Sequence, residues 1–216
     1  MSDISNPGSS QDYQLIIFDM DGTLVQSEDC ASQALKDVIP LLTDSVDEVT
    51  TRYKGMRLAV IFKDIERRFP GAVAADCLDL YRVREEQLSH SYIVACDGAD
   101  ELLHRLQISK CIASNAPVTK TERSLSLCDL THHFDKPIFS AYDVNAWKPD
   151  PALFLHAANH HDIETAKCLV VEDSDVGIQA ALSAEMAVIH YDPQGLGSTF
   201  SVPSIRSLIE LLDYVN

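Results

Sequence analysis

The chain has 216 residues, 46% of them hydrophobic and 23% charged, close to the averages for a globular protein, so neither disorder nor a fibrous architecture is expected. A formal net charge of -16, from 33 acidic and 17 basic residues, excludes a nucleic-acid binder, because displacing counterions from a phosphate backbone takes a basic surface. No apolar run approaches the roughly 20 residues that cross a bilayer, so a cytoplasmic protein with no membrane partner is expected, and it is expected to be a monomer.

Residues 1–12 are polar and rich in Ser, Asp, Asn and Gly, and read as a flexible tail. Leu15–Phe18 follows as the first short apolar run. The next, Lys110–Ala113, comes about ninety residues later, far beyond an ordinary crossover, so a separate piece is inserted between them. Within that insertion Ala31/Ala34/Leu35/Val38/Ile39/Leu42 and Leu58/Ile61/Phe62/Ile65/Phe69 are helical stripes, and Leu78/Tyr81/Leu88/Tyr92 is a weaker one. Residues 27–94 are therefore expected to form a small helical cap, and residues 13–26 with 95–216 the core.

In the core the apolar runs continue with Pro137–Ser140, Cys168–Val171 and Ala187–Tyr191. Helical stripes accompany them at Ala99/Leu102/Leu103/Leu106, Val176/Ala180/Ala181/Ala184 and Ile205/Leu208/Ile209/Leu212. This alternation predicts an α/β fold with a Rossmann-like parallel sheet and helices on both faces. The six cysteines are scattered, with no C-x-x-C pair, and suit reduced thiols, Cys111 and Cys168 buried in strands. The pairs His132/His133 and His160/His161 are expected on the surface, since adjacent residues of a helix point in different directions.

Ligands of open α/β sheets gather outside the carboxyl ends of the strands, so the residues that end each apolar run are the informative ones. They are Asp19-Met20-Asp21-Gly22-Thr23, then Ser114-Asn115, then a loop reaching Lys148-Pro149, then Glu172-Asp173-Ser174. Two aspartates at a spacing of two, followed by a glycine turn, suit phosphoryl transfer: one carboxylate attacks phosphorus and the other protonates the leaving oxygen, then activates water. Crowded carboxylates call for a cation, and Mg²⁺ favours a few carboxylate oxygens plus phosphate and water. Asp19, Asp21, Glu172 and Asp173 are its candidate ligands. Ser114, Asn115, Lys148 and Thr23 are candidates for holding phosphate. Each motif alone also has a plain structural reading, as an Asp-Gly turn, a helix N-cap or a solvated loop.

At these four motifs the chain resembles the haloacid dehalogenase-like superfamily, in the right order and from about residue 13 to the C-terminus. The resemblance implies Asp19 as nucleophile and metal ligand, and Asp21 as acid/base with its backbone carbonyl on Mg²⁺. It also implies Ser114 and Lys148 on phosphate, Asp173 as the remaining protein ligand, and Glu172 assisting through water. The inserted segment is similar to the cap of the β-phosphoglucomutase-like branch, and Trp147–Pro151 with Val171–Ser174 are similar to bacterial sugar-phosphate phosphatases. In that branch the mutases carry a histidine in the first cap helix where this chain has Ala31, which implies hydrolysis of a small phosphorylated metabolite. Lys54-Gly55 resembles the cap's specificity loop, which implies Lys54 near an anionic substrate group. Gln26 replaces the aspartate common after the first motif.

The rival readings are a phosphosugar mutase and, in another class, a receiver-like module that accepts phosphate on an aspartate. A halide-removing enzyme would lack the equivalents of Asp21 and Asp173, and a receiver's acceptor would stand deeper in the chain with no cap after it.

Overall fold

The computed structural model describes residues 12–135 and 137–215. The tail expected over residues 1–12 lies outside them except for Asp12, which is exposed, and Tyr13 is already buried. The chain packs into two compact units, one running to Val25 and resuming at Ala95, the other Gln26–Val94. In chain order the elements are β1 (Leu15–Phe18), β2 (Val25–Gln26), α1 (Glu28–Val38), α2 (Val46–Tyr53), α3 (Leu58–Arg68), α4 (Cys77–Tyr92), β3 (Val94–Ala95) and α5 (Ala99–Arg105). They continue with β4 (Ser109–Ser114), α6 (Val118–Leu127), a 3-10 turn (Thr131–His133), β5 (Phe139–Ser140), α7 (Ala141–Val144) and α8 (Ala152–His160). Last come a 3-10 turn (Thr165–Lys167), β6 (Cys168–Glu172), α9 (Asp175–Ser183), β7 (Ala187–Tyr191), β8 (Ser204–Ile205), a 3-10 turn (Leu208–Leu211) and α10 (Leu212–Val215).

Among the described residues the first unit holds a six-stranded sheet of order β5-β4-β1-β6-β7-β8, with every neighbouring pair parallel. The strands are continuous apolar runs because helices bury both faces of such a sheet. Leu15, Ile17, Ala113, Val170 and Val188 pack with Leu153, Phe154, Ala157, Ile178 and Ala181 from α8 and α9. The alternate residues Ile16, Phe18, Leu169, Val171 and Ile189 point to the opposite face and are equally buried. The chain order reverses at β1, since β4 and β5 lie on one side of it and β6, β7 and β8 on the other. The carboxyl end of β1 is thus the topological switch point, where such sheets place their ligands.

The α/β sheet follows the expectation, with shifts that matter for function. β4 and β6 run on to Ser114 and Glu172, which close their strands rather than open the loops. The stripe Ile205/Leu208/Ile209/Leu212 does not form one helix. Ile205 pairs with Tyr191 in β8, and Ser207 and Glu210 then form a capping box that starts a new turn. α6 and α8 gave no periodic signal. α6 buries Thr121 and Ser124 beside Leu125, and α8 is apolar almost all round.

In the second unit Ala34, Leu35, Ile39, Val49, Tyr53, Ile61, Ile65 and Tyr81 form one core. Ser45 and Glu48 close a capping box on α2, and Arg68 reaches the Asp44 carboxylate at 2.7 Å. The stripe expected on α4 is misplaced: Leu78 and Tyr92 are exposed, and the buried line is Cys77, Tyr81, Glu85 and Ser89, spaced by four. Its polar members hide it from a hydrophobicity pattern.

The expectation for His132 and His133 also needs correction. Their rings do not diverge: the centroids lie 3.9 Å apart, and both Nε2 atoms turn toward Asp100 Oδ1, at 4.0 and 2.7 Å. The carboxylate overrides the divergence that a helical turn alone would impose. Among the described residues no helix is long and apolar enough to cross a membrane.

Candidate active site

The sheet register brings the first and fourth motifs together. Phe18 is level with Ile112 of β4 and Val171 of β6, and the Asp19 N–H donates to the Val171 carbonyl at 3.0 Å, carrying the ladder one residue further. Asp19 therefore stands beside Glu172 at the end of β6. Beyond it the chain wraps around the Met20 carbonyl, which accepts from the N–H groups of Leu24 at 3.0 Å and Val25 at 3.1 Å. Gly22, at φ +85, donates back to the Val25 carbonyl at 2.7 Å. That left-handed conformation is why a glycine follows Asp21.

Lys148 joins the motifs. Its buried ammonium donates to Asp19 Oδ1 at 2.5 Å and to Glu172 Oε1 at 2.6 Å, and lies 4.9 Å from the centre of the Phe154 ring. The second Glu172 oxygen accepts from the Ser174 N–H at 3.1 Å and the Ser174 hydroxyl at 2.9 Å. Ser174 is also the N-cap of α9, its hydroxyl accepting from the Gly177 N–H at 3.2 Å. Asn115 serves the same lysine from behind: its side-chain oxygen accepts from the Lys148 backbone N–H at 3.0 Å.

Burial, with Glu172 beside it, pushes the Asp19 carboxyl well above the usual carboxylate range; Lys148 pulls the other way and Asp173 adds to the push. For Lys148, burial disfavours the charge, yet Asp19 and Glu172 outweigh it and raise its pKa. Oxygens of Asp19, Glu172 and Asp173, all buried, lie within 4.8 Å of one another. One ammonium offsets only one of three negative charges, so this donor set fits a divalent, oxygen-seeking cation such as Mg²⁺. Both Glu172 oxygens already accept hydrogen bonds, which leaves Asp19 and Asp173 as the carboxylates best disposed to bind it directly.

The other expected residues divide by location. The fully buried Thr23 donates from its hydroxyl to Asp173 Oδ1 at 3.4 Å, so it braces a carboxylate. Ser114 is buried at the end of β4, its hydroxyl accepting from the Ala116 N–H at 3.0 Å. The Asp21 carboxylate lies outside the buried cluster and pairs with Lys120 of α6 at 3.2 Å. Lys54 caps the C-terminal end of α2, in the second unit.

Three contributors escaped the sequence reading. Lys120 carried no signal, being one lysine in a polar helix. Tyr191 ends the apolar run of β7 and reads as core, yet its phenol is pushed up to about 12 by burial and then by Cys96, Asp97 and Asp173, which keeps it protonated beside the cluster. Gly177 is the third, and it had a signal: a glycine inside a helix costs about 1 kcal/mol relative to alanine and needs a reason. The reason is space, since a Cβ there would lie 1.8 Å from the Glu172 carboxyl carbon.

Comparison with known proteins gives a consistent answer. The sequence pattern of the haloacid dehalogenase-like hydrolases matches residues 16–191, a span that holds all four motifs. The chain is 35% identical over 182 residues to the 6-phosphogluconate phosphatase of Escherichia coli K12, an alignment covering 82% of each. A solved structure of a conserved haloacid dehalogenase-like protein of unknown function from Agrobacterium tumefaciens matches with a TM-score of 0.80 at 29% identity, covering 93% of this chain and 96% of that one. A haloacid dehalogenase family hydrolase from Deinococcus radiodurans, solved with bound phosphate and sodium, matches with a TM-score of 0.72 at 26% identity, covering 93% of each chain.

Proposed function

The chain belongs to the haloacid dehalogenase-like hydrolases and is a phosphatase, and from that premise we propose that it hydrolyses a small sugar phosphate or phosphosugar acid through an aspartyl-phosphate on Asp19. The observation that carries this reading is the Lys148 ammonium held between Asp19 and Glu172, at 2.5 and 2.6 Å, at the switch point of the sheet. A lysine there holds the nucleophile in place and presents a fixed positive charge to the phosphoryl oxygens as charge builds on them.

Asp19 attacks phosphorus, the ester oxygen departs with a proton from Asp21, and Asp21 then takes a proton from the water that cleaves the acyl phosphate and frees Asp19. Lys120 holds the Asp21 carboxylate at 3.2 Å. Ser114, at the end of β4, supplies a hydroxyl to a phosphate oxygen. Asp19, Asp173 and the Asp21 backbone carbonyl would hold Mg²⁺, with Glu172 assisting through water, and the ion would supply charge neutralisation. The resemblance of Lys54-Gly55 to a specificity loop supports an anionic group on the substrate, which favours a phosphosugar acid. The substrate in the name of the Escherichia coli relative, 6-phosphogluconate, is the first to test.

The test is steady-state release of phosphate from 6-phosphogluconate, from a panel of sugar phosphates and from an aryl phosphate, with Mg²⁺ and with chelator. Asp19→Asn lowers kcat by a factor of about 10⁴ or more while the fold is retained. Wild-type turnover in that variant would eliminate the covalent route, and a single phosphorylation without turnover would point to a receiver.

A further inference from the structure

A second cluster of metal-ligating side chains lies in the first unit and shares no residue with the site above. Asp100 lies in the first turn of α5. The 3-10 turn Thr131–His133 brings His132 and His133 to the same place. One oxygen of Asp100 and one nitrogen each of His132 and His133 lie within 4.8 Å of one another. We propose that Asp100, His132 and His133 form a Zn²⁺ site on the surface of this unit, with water in the remaining position.

The alternative is a purely structural tie. It accounts for His133, whose side chain is 6% exposed and whose Nε2 lies 2.7 Å from Asp100 Oδ1. It does not account for His132. That side chain is 59% exposed and has solvent to turn into, yet its ring lies against that of His133 and its Nε2 faces the same carboxylate oxygen at 4.0 Å. Two imidazoles from adjacent residues converging on one carboxylate make the donor set of a borderline metal, and not that of Mg²⁺ or Ca²⁺, which prefer oxygen throughout.

The geometry needs small adjustments only. Ligand atoms of a tetrahedral zinc site stand about 3.3 Å apart, as bonds of about 2.0 Å require. The pair at 2.7 Å opens and the pair at 4.0 Å closes toward that spacing, and Asp100 and His132 are exposed enough to rotate. On binding, His133 Nε2 gives its lone pair to the metal, and the proton it shared with Asp100 passes to Nδ1 or to solvent.

The test is calorimetric titration of the full-length protein with Zn²⁺ in excess Mg²⁺, so that the buried carboxylates are already served. Wild-type protein takes up one equivalent. His132→Ala and Asp100→Asn each weaken that binding by at least about ten-fold, and turnover with Mg²⁺ is unchanged in both. Co²⁺ in place of zinc gives visible ligand-field bands that disappear in the same variants. Identical isotherms for wild type and His132→Ala would overturn the proposal, as would zinc uptake that Mg²⁺ abolishes. Should Asp100→Asn fail to fold, His132→Ala decides alone, its ring being more than half exposed.

Discussion

Replacing Gly177 by alanine tests whether the placement of Glu172 governs both stability and rate. In an ordinary helix the change would stabilise by about 1 kcal/mol. Here the added carbon would lie 1.8 Å from the Glu172 carboxyl carbon and 1.9 Å from Oε1. A surface glutamate would swing aside at little cost. Glu172 is fully buried and accepts from the Lys148 ammonium, the Ser174 N–H and the Ser174 hydroxyl, so moving it breaks bonds that nothing replaces. Overpacking costs about 1–3 kcal/mol, and a lost hydrogen bond to a buried charge about 1.5–3 kcal/mol more. Set against the helix gain, the net destabilisation is about 2–5 kcal/mol, a drop in melting temperature of roughly 4–20 °C for a chain of this length. With Lys148 released from its carboxylate, kcat falls by about 10²–10³. Thermal melts with steady-state kinetics read both. A Gly177→Ala protein that melts at or above wild type with an unchanged kcat would refute the reasoning.

Ser174→Ala removes two hydrogen bonds in one step, the cap of α9 and the hydroxyl bond to Glu172, and is expected to cost about 1–2 kcal/mol in urea denaturation, with a smaller loss of kcat than Gly177→Ala because Lys148 keeps its partner. Lys148→Met leaves Asp19 and Glu172 buried without their counter-charge, so urea unfolding should show a loss of about 3–5 kcal/mol. Turnover disappears, and added Mg²⁺ restores part of the stability by binding the folded state. Asp192 gives a pH test away from the site. Burial acts to raise its carboxyl, but the Gly197 and Leu196 backbone N–H groups, at 2.8 and 3.0 Å, hold it below the usual range. Its stabilisation is therefore complete above the unfolded value of about 3.9 and is lost as pH falls through the lower folded value. Melts of Asp192→Asn should run below wild type by a constant margin between about pH 5 and 7 and converge with it in stronger acid; a margin undiminished in strong acid would contradict this.

What the sequence made legible follows from how each feature is encoded. β1, β6 and β7 were plain because a parallel strand covered on both faces must be apolar throughout, and Leu15–Phe18 and Ala187–Tyr191 have the expected bounds. Asp19, Ser114 and Glu172 were legible as candidates because strand ends at a switch point are where side chains converge. α6 was invisible because it packs through Thr121 and Ser124, whose hydroxyls count as polar in any pattern. α4 misled for a related reason, its buried line carrying Glu85 and Ser89. Gly177 and Lys120 act across 5 and 99 residues of sequence respectively, on Glu172 and Asp21, through contacts that no local pattern records. His132 is exposed as expected, but its convergence with His133 was not legible because it depends on Asp100, which arrives from another element.

The two weakest motifs also explain each other. A serine followed by asparagine is ordinary turn chemistry, and a lysine before proline is an ordinary loop. In the fold the Asn115 side chain accepts from the Lys148 backbone N–H at 3.0 Å, so the turn after β4 sets where the lysine starts, and Asp19 and Glu172 set where its ammonium ends. Burying a lone ammonium costs several kcal/mol, and a loop lysine with any freedom would leave for solvent. It stays because one fixed amide anchors its main chain and two carboxylates from adjacent strands receive its charge. Glu172, with Ser174 and the space left by Gly177 behind it, accordingly contributes by holding the lysine against Asp19. A change at Asn115, Glu172, Ser174 or Gly177 is then expected to reach the proposed reaction through Lys148, even though in that reaction only Asp19 bonds to phosphorus.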